Sequence, residues 1–151
     1  MIKQGGINEL NAIKNIERRS FGKFAYSDSE ITEMIRNTDI LVYEIDGKYL
    51  GYISFFFEIY EGKRSCHIES IGVIPKYRKM GIGSKLMAEY EKICMDKNAE
   101  YSILEVRARN YNAIRFYEKL GYRIINIIKN YYSIPYRKSR DAFLMIKDFR
   151  S

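Results

Sequence analysis

Ile71-Gly72-Val73-Ile74-Pro75-Lys76-Tyr77-Arg78-Lys79-Met80-Gly81-Ile82-Gly83-Ser84 is an apolar strand that runs into a basic, glycine-punctuated turn and then into a helix. Glycine lets the backbone approach a ligand without interference from a Cβ, and the unpaired N–H groups of a helix's first turn attract anions. Arg78 and Lys79 bring positive charge to the same point. The segment therefore reads as a phosphate-binding turn. R-x-x-G-x-G spacing alone is a weak signal, so the flanking chain determines what the phosphate belongs to.

The helix opened by Gly81 carries Ile82, Leu86, Met87, Tyr90, Ile93 and Cys94 at helical spacing and is expected to end near Lys97-Asn98. Downstream, Tyr101 to Arg107 reads as a strand, Asn110 as the cap of a helix over 111–119, and Gly121 as its C′ residue. Strands follow at about 122–130 and 141–149. Upstream, Asn8 is the expected cap of a helix over 8–19 whose Leu10, Ile13 and Ile16 share a face. A shorter helix runs from Ser27-Asp28 to about Asn37, with Ile31, Met34 and Ile35 inward. Ile40 to Ile45, a turn at Asp46-Gly47 and Tyr49 to Ile59 read as a hairpin, and Glu61-Gly62-Lys63 turns into a strand over about 64–74. With a short strand at 1–4, this is the order of a single mixed-sheet α/β domain over 1–151.

A chain of 151 residues, 46% hydrophobic, is long enough to bury a core without staples and too apolar for disorder. No run approaches the roughly 18 apolar residues that span a bilayer, and Met1-Ile2-Lys3-Gln4-Gly5-Gly6 has no signal-peptide core, so a soluble cytoplasmic protein is expected. Cys66 and Cys94 lack C-x-x-C spacing and there is a single histidine, too few for the common zinc schemes. Two buried free thiols and no metal are the expectation. The net charge of +7 suits nucleic acid, a membrane surface or an acidic ligand. Basic residues concentrate at Lys76 to Lys85 and at Tyr136-Arg137-Lys138-Ser139-Arg140. Either cluster fits a polyphosphate or ribosomal surroundings, and the second equally fits a solvated face.

Two long motifs, in order, carry a resemblance to a known family. The loop from Arg78 to Ser84 looks like the coenzyme A pyrophosphate loop of the Gcn5-related N-acetyltransferases, the GNAT superfamily. Leu104-Glu105-Val106-Arg107-Ala108-Arg109-Asn110-Tyr111-Asn112-Ala113-Ile114-Arg115-Phe116-Tyr117-Glu118-Lys119-Leu120-Gly121-Tyr122 resembles the second signature of the N-terminal (Nα) acetyltransferases, which include the ribosomal-protein-alanine and archaeal enzymes. Asn130-Tyr131-Tyr132 resembles the paired tyrosines those enzymes place over the substrate peptide. The resemblance covers nearly the whole chain. It implies the acyl-CoA N-acyltransferase fold, a central, mostly antiparallel sheet with flanking helices. It further implies acetyl-CoA as cosubstrate and direct transfer, in a ternary complex, to the α-amine of protein N-termini, ribosomal or nascent chains among them. An auxiliary subunit is a partner of some members; neither a membrane nor a nucleic-acid substrate is implied.

Acetyl transfer to an amine needs a neutral nucleophile, a polarised carbonyl and a proton for the departing thiolate. An α-amine titrates near ~8 and lysine near ~10.4, so the base for an α-amine has modest work to do. Glu105 lies on the strand face opposite Leu104 and Val106. The resemblance makes it the general base, whereas spacing alone also allows a solvated carboxylate or a pair with Arg107. His67 shares a strand face with Glu69 and Ile71 and titrates near the needed range. It is either a second base, at a position where several archaeal-type enzymes carry histidine, or a satisfied structural residue. Glu69 shares that role or is a surface carboxylate. Tyr117, two helical turns after Asn110, matches the family's general acid and also fits an apolar face with Ala113 and Leu120.

For the cofactor, the resemblance assigns the backbone at Ile71, Gly72 and Val73 to the pantetheine arm and acetyl carbonyl. Arg78, Lys79, Met80, Gly81, Ile82, Gly83 and Ser84 are assigned to the pyrophosphate, and Asn110 and Tyr117 also face the coenzyme. Phe21 and Tyr26 are expected on one wall of an acceptor groove and Tyr131 and Tyr132 on the other, with Glu69 also assigned to substrate binding. Phe24-Ala25-Tyr26-Ser27 departs from the Phe-Pro-Trp-Ser of ribosomal-protein enzymes at Ala25 and Tyr26, which puts that specificity in doubt. Two other readings compete: a family member acting on a small amine or a lysine side chain, and a non-catalytic basic module for RNA or ribosomes.

Overall fold

The computed structural model describes residues 1–150; Ser151, the last residue of the expected domain, lies outside them. The elements are β1 (Ile2–Gly5), α1 (Leu10–Phe21), α2 (Asp28–Asn37), β2 (Asp39–Ile45), β3 (Lys48–Tyr60), β4 (Lys63–Val73), α3 (Ile82–Asp96), β5 (Tyr101–Arg107), α4 (Tyr111–Lys119), β6 (Arg123–Ile128) and β7 (Ala142–Asp148). The strands hydrogen-bond in the order β1-β2-β3-β4-β5-β7-β6. β1 with β2, β2 with β3, β5 with β7 and β6 with β7 are antiparallel, and β4 with β5 is parallel. This is the mixed, mostly antiparallel α/β sheet with helices that the sequence order implies.

The chain forms two compact units, of which the first comprises Met1–Phe56 and Ile68–Lys97. Ile13 and Ile16 of α1 and Ile31, Met34 and Ile35 of α2 fall at helical spacing and cluster with Ile40 and Val42 of β2, Tyr52 of β3, and Ile74. Ser27 and Glu30 start α2 with a capping box: the Ser27 hydroxyl accepts from the Glu30 N–H at 3.2 Å, and the Glu30 carboxylate accepts from the Ser27 N–H at 2.9 Å. The start of α1 differs from expectation. Asn8 lies inside a 3-10 turn, Ile7–Glu9, and Glu9 occupies the N-cap. The Glu9 carboxylate accepts the Gly6 N–H at 2.6 Å, which closes that turn and defers the α-helix to Leu10. In α3, Ile82, Leu86, Met87 and Tyr90 are buried, with Tyr90 edge-on to Phe55 at 4.9 Å.

The second unit comprises Phe57–His67, the tip of the β3–β4 hairpin, and the chain from Asn98 onward. At the tip Glu61 and Gly62 have φ of 49° and 76°, the primed turn geometry that matches strand twist. Ile103, Leu104 and Val106 of β5 and Ala142, Met145 and Ile146 of β7 are buried. Asn110 caps α4 as expected, its side chain accepting from the Ala113 N–H at 3.3 Å, and Gly121 follows the helix at φ 99°. Tyr122 then donates its hydroxyl to Ser102 Oγ at 2.7 Å and packs edge-on to Tyr117 at 5.9 Å.

Cys66 and Cys94 are fully buried, but neither is a free thiol; both are disulfide-bonded, which corrects the expectation. C-x-x-C reasoning tests only neighbours along the chain, and a linkage made by folding leaves no such spacing. Among the described residues no helix is long and apolar enough to cross a membrane.

Burial, not residue type, should set the cost of truncation. Ile16→Ala, at a fully buried site, is expected to lower the unfolding free energy by about 2–5 kcal/mol. Ile59→Ala, at a site 71% exposed, should cost about 0.5 kcal/mol or less in the same urea titrations.

Candidate functional site

In the first unit, a 3-10 turn over Pro75–Met80 leads to Gly81, which is left-handed at φ 75° and ψ 17°. A residue with a Cβ would adopt that conformation at a cost of roughly 1–2 kcal/mol. No side chain caps α3, so the first-turn amides of Ile82, Gly83 and Ser84 have no side-chain partner at the cap. Lys76, Arg78 and Lys79 stand exposed at this turn, and Met80 is half exposed. The Ile82 side chain is buried, so only its backbone is available to a ligand. Arg78 does not stand free: its Nε donates to the Val73 carbonyl at 3.1 Å and its Nη2 to the Ser20 carbonyl at 3.0 Å. Ser20 Oγ donates to the same Val73 carbonyl at 3.1 Å. The turn is thereby tied to the end of α1 while its charge stays in place. A left-handed glycine, an uncapped helix start and three cations suit a polyphosphate.

Tyr26 and Glu69, both candidates for substrate binding, border one cavity of ≈ 330 Å³ together with Glu30, Glu33 and Met34. The Tyr26 hydroxyl lies 3.5 Å from the Glu69 carbonyl. Phe21 lies beside Gly72, where an added Cβ would meet the Phe21 ring at 3.3 Å and Tyr52 at 3.2 Å. The loop carrying Tyr26 is held by Glu17, which is only 2% exposed. Glu17 accepts from the Tyr26 N–H at 2.9 Å, the Tyr52 hydroxyl at 2.5 Å and the Ser70 hydroxyl at 3.1 Å. Burial pushes the Glu17 carboxyl above its ordinary value, and these hydrogen bonds only partly offset that rise.

The second unit holds an acid–base group. His67 Nε2 is 2.9 Å from both carboxylate oxygens of Glu105, and Nδ1 is 2.6 Å from Glu58 Oε2. The parallel register places His67 opposite Ile103, and Glu105 is the next residue along β5 on that face. Glu105 therefore pairs with the imidazole. Burial works against a charged imidazole, but the hydrogen bonds and charges of Glu105 and Glu58 outweigh it and hold the His67 pKa above its ordinary value. Tyr117, on α4, is buried, and burial raises its phenol. Tyr131 and Tyr132 meet edge-on at 4.9 Å. The Arg107 guanidinium stacks over the Tyr132 ring at 3.9 Å and donates to the Ile134 carbonyl at 2.8 Å, holding the loop that carries both tyrosines.

Sequence reasoning missed Glu58 and Glu17. Each left a signal of the kind that marked Glu105: Glu58 is a lone carboxylate in the apolar run Phe55-Phe56-Phe57-Glu58-Ile59-Tyr60, and Glu17 lies four residues after Ile13 on the inward face of α1. Among the described residues no group of three or more His, Cys, Asp or Glu could hold a metal ion.

Residues 10–122 match the model of the acetyltransferase (GNAT) family. The chain belongs to the GNAT acetyltransferases. It is 36% identical over 151 residues to an uncharacterised N-acetyltransferase of Methanocaldococcus jannaschii, covering 97% of this chain and 90% of that one. It is 34% identical over 113 residues to an N-alpha-acetyltransferase of Sulfurisphaera tokodaii, covering 69% of this chain and 65% of the relative. The crystal structure of the ribosomal-protein-S18-alanine N-acetyltransferase from Escherichia coli matches this GNAT chain at a TM-score of 0.84 and 25% identity, over 98% of this chain and 92% of that one.

The raised His67 pKa makes a stability prediction. A base whose folded pKa is raised contributes stability that is complete below its unfolded value, ~6.5, and is lost as pH rises through the folded value. The difference in unfolding free energy between wild type and His67→Gln should therefore be largest near pH 6 and shrink toward pH 9, measured by urea titration across that range.

Proposed function

We propose that this GNAT protein transfers the acetyl group of acetyl-CoA to the α-amine of protein N-termini in the cytoplasm, with Glu105 as base and Tyr117 as acid. The observation that carries the reading is the Glu105 carboxylate, its side chain 15% exposed and both oxygens held on His67 Nε2. Bound acetyl-CoA supplies an activated acyl group. The amides from Gly81 to Ser84, with Lys79, Met80 and Arg78 around them, are the residues suited to its pyrophosphate, and the backbone at Ile71, Gly72 and Val73 and the Asn110 side chain to its pantetheine arm.

Glu105 takes a proton from the acceptor ammonium, whose pKa of ~8 requires only a modest base. His67, with a carboxylate on each ring nitrogen, orients Glu105 and does not act as the direct base. Tyr117 keeps its proton at neutral pH because burial disfavours the phenolate, which suits a donor to the departing thiolate. Phe21, Tyr26 and Glu69, and Tyr131 and Tyr132 with Arg107 behind them, are the acceptor-facing residues in this reading. The relative named as an N-alpha-acetyltransferase supports a terminal amine over a lysine. Base and acid both come from this chain, so an auxiliary subunit would redirect specificity and not complete the chemistry.

Mass spectrometry of peptides incubated with acetyl-CoA tests the substrate class. Peptides with a free α-amine should be acetylated there, and α-blocked lysine peptides and polyamines should lag far behind; turnover of the latter equal to or above the former would contradict the reading. Glu105→Gln should lower kcat by about 10²–10⁴-fold with unchanged coenzyme A affinity. Tyr117→Phe should slow transfer about 10²-fold with little change in peptide KM, measured in steady-state kinetics.

A further inference from the structure

Between Val106 and Arg140 the chain carries nine lysines and arginines against a single acid, Glu118, and all nine but Arg107 are exposed. Charge this one-sided within one part of a domain points to a polyanion. It is densest at the turn between β6 and β7. Arg137 and Lys138 form the tip with φ of 50° and 66°, the primed geometry that asparagine and glycine ordinarily supply. Tyr136 and Ser139 close the turn through backbone bonds of 2.9 and 3.0 Å, and Arg109 Nη1 donates to the Arg137 carbonyl at 2.6 Å. Among the described residues Arg137, Lys138 and Arg140 have no carboxylate partner, and Asp141 accepts from Lys129 Nζ at 3.3 Å and from the Asn130 N–H at 3.0 Å. Two cations thus occupy backbone positions that favour other residues, and no internal ion pair accounts for them.

Aromatic rings are set among these charges. The Arg137 guanidinium lies 5.6 Å from the Tyr111 ring centroid and 5.2 Å from that of Tyr136, and Tyr111 is 50% exposed. Cations interleaved with exposed π-faces match what a single-stranded nucleic acid presents: phosphates that pair with the cations, and unstacked bases that lie on tyrosine rings or guanidinium planes. An acidic peptide would use the cations and leave the rings idle. A duplex hides its bases. We propose that the β6–β7 turn and the start of α4 form a docking surface for single-stranded RNA, with Arg109, Arg137, Lys138 and Arg140 on phosphates and Tyr111 and Tyr136 under bases. RNA is the occupant because its loops and ends offer unpaired bases, whereas DNA is mostly duplex. The RNA is held and not acetylated, so it tethers the enzyme and is no substrate. None of these six residues is assigned to the coenzyme or the acceptor, and the docking surface stands whichever amine the enzyme acetylates.

Fluorescence anisotropy with a labelled, unstructured RNA of about 16 nucleotides tests this directly. Saturating coenzyme A is kept present so that RNA phosphates cannot lodge at the Gly81 turn. One phosphate on each of four cations predicts that log K falls with log salt at a slope of about −3. The triple variant Arg137→Asn, Lys138→Gly, Arg140→Gln puts residues suited to the primed geometry at the tip, so loss of binding in it is not loss of the turn. Its slope should shrink to about −0.7 and its affinity fall about 10²-fold at ~0.1 M salt. Tyr111→Ala should weaken binding about tenfold and leave the slope unchanged. RNA binding that is absent or independent of salt, or a triple variant that binds as wild type does, overturns the docking surface. An unaffected Tyr111→Ala, or equal affinity for a polyglutamate peptide or duplex DNA of the same charge, makes the patch a mere polyanion contact and overturns it as well. Binding seen only without coenzyme A assigns the cations to the cofactor, with the same consequence.

Discussion

An imidazole clamped between two carboxylates ties together side chains from three neighbouring strands. Glu58, His67 and Glu105 come from three successive neighbours in the sheet, β3, β4 and β5, and their contacts of 2.6–2.9 Å require those strands to hold register. Charged groups taken from water need partners, and removing one partner leaves the others uncompensated. The row meets that requirement internally, because a doubly protonated ring satisfies a carboxylate on each side. Strand pairing between β4 and β5 thus holds the row together: a slip of one residue would turn Glu105 to the opposite face.

Glu17 in the first unit shows how surroundings decide what the same side chain does. Its carboxylate meets two hydroxyls and a backbone amide with no cation among them, and burial pushes its pKa up. Such a group is suited to holding the Tyr26 loop against β3 and β4, where Tyr52 and Ser70 donate to it. Glu105 instead faces an imidazole that can exchange protons with it. The turn at Gly81 follows a third logic, in which backbone conformation dominates: Gly81 takes the left-handed geometry and no side chain caps the helix behind it.

Features that depend on local geometry were legible in the sequence. The Asn110 cap, Gly121 beyond α4, the two hairpin turns and the inward stripes of α1, α2 and α3 follow from spacing and turn chemistry, and each is present. Local reading misplaced the start of α1, because the Glu9 side chain closes a turn on Gly6 before Asn8 can cap anything. Features made by long-range contact were not legible. The partners of Glu58 and Glu17 lie 9 to 53 residues away in sequence, and the state of Cys66 and Cys94 depends on folding and not on spacing. What the sequence offered at Glu58 and Glu17 was a carboxylate standing in an apolar pattern, a mark that says a partner exists without saying which. Glu105 carried the same mark, and only its motif singled it out.

Neutron diffraction from crystals equilibrated near neutral pD tests the central claim most directly, because it locates the protons of the Glu58–His67–Glu105 row. Deuterium on both Nδ1 and Nε2 of His67, with none on either carboxylate, is the predicted result. A bare ring nitrogen facing a deuterated Glu58 or Glu105 would contradict it.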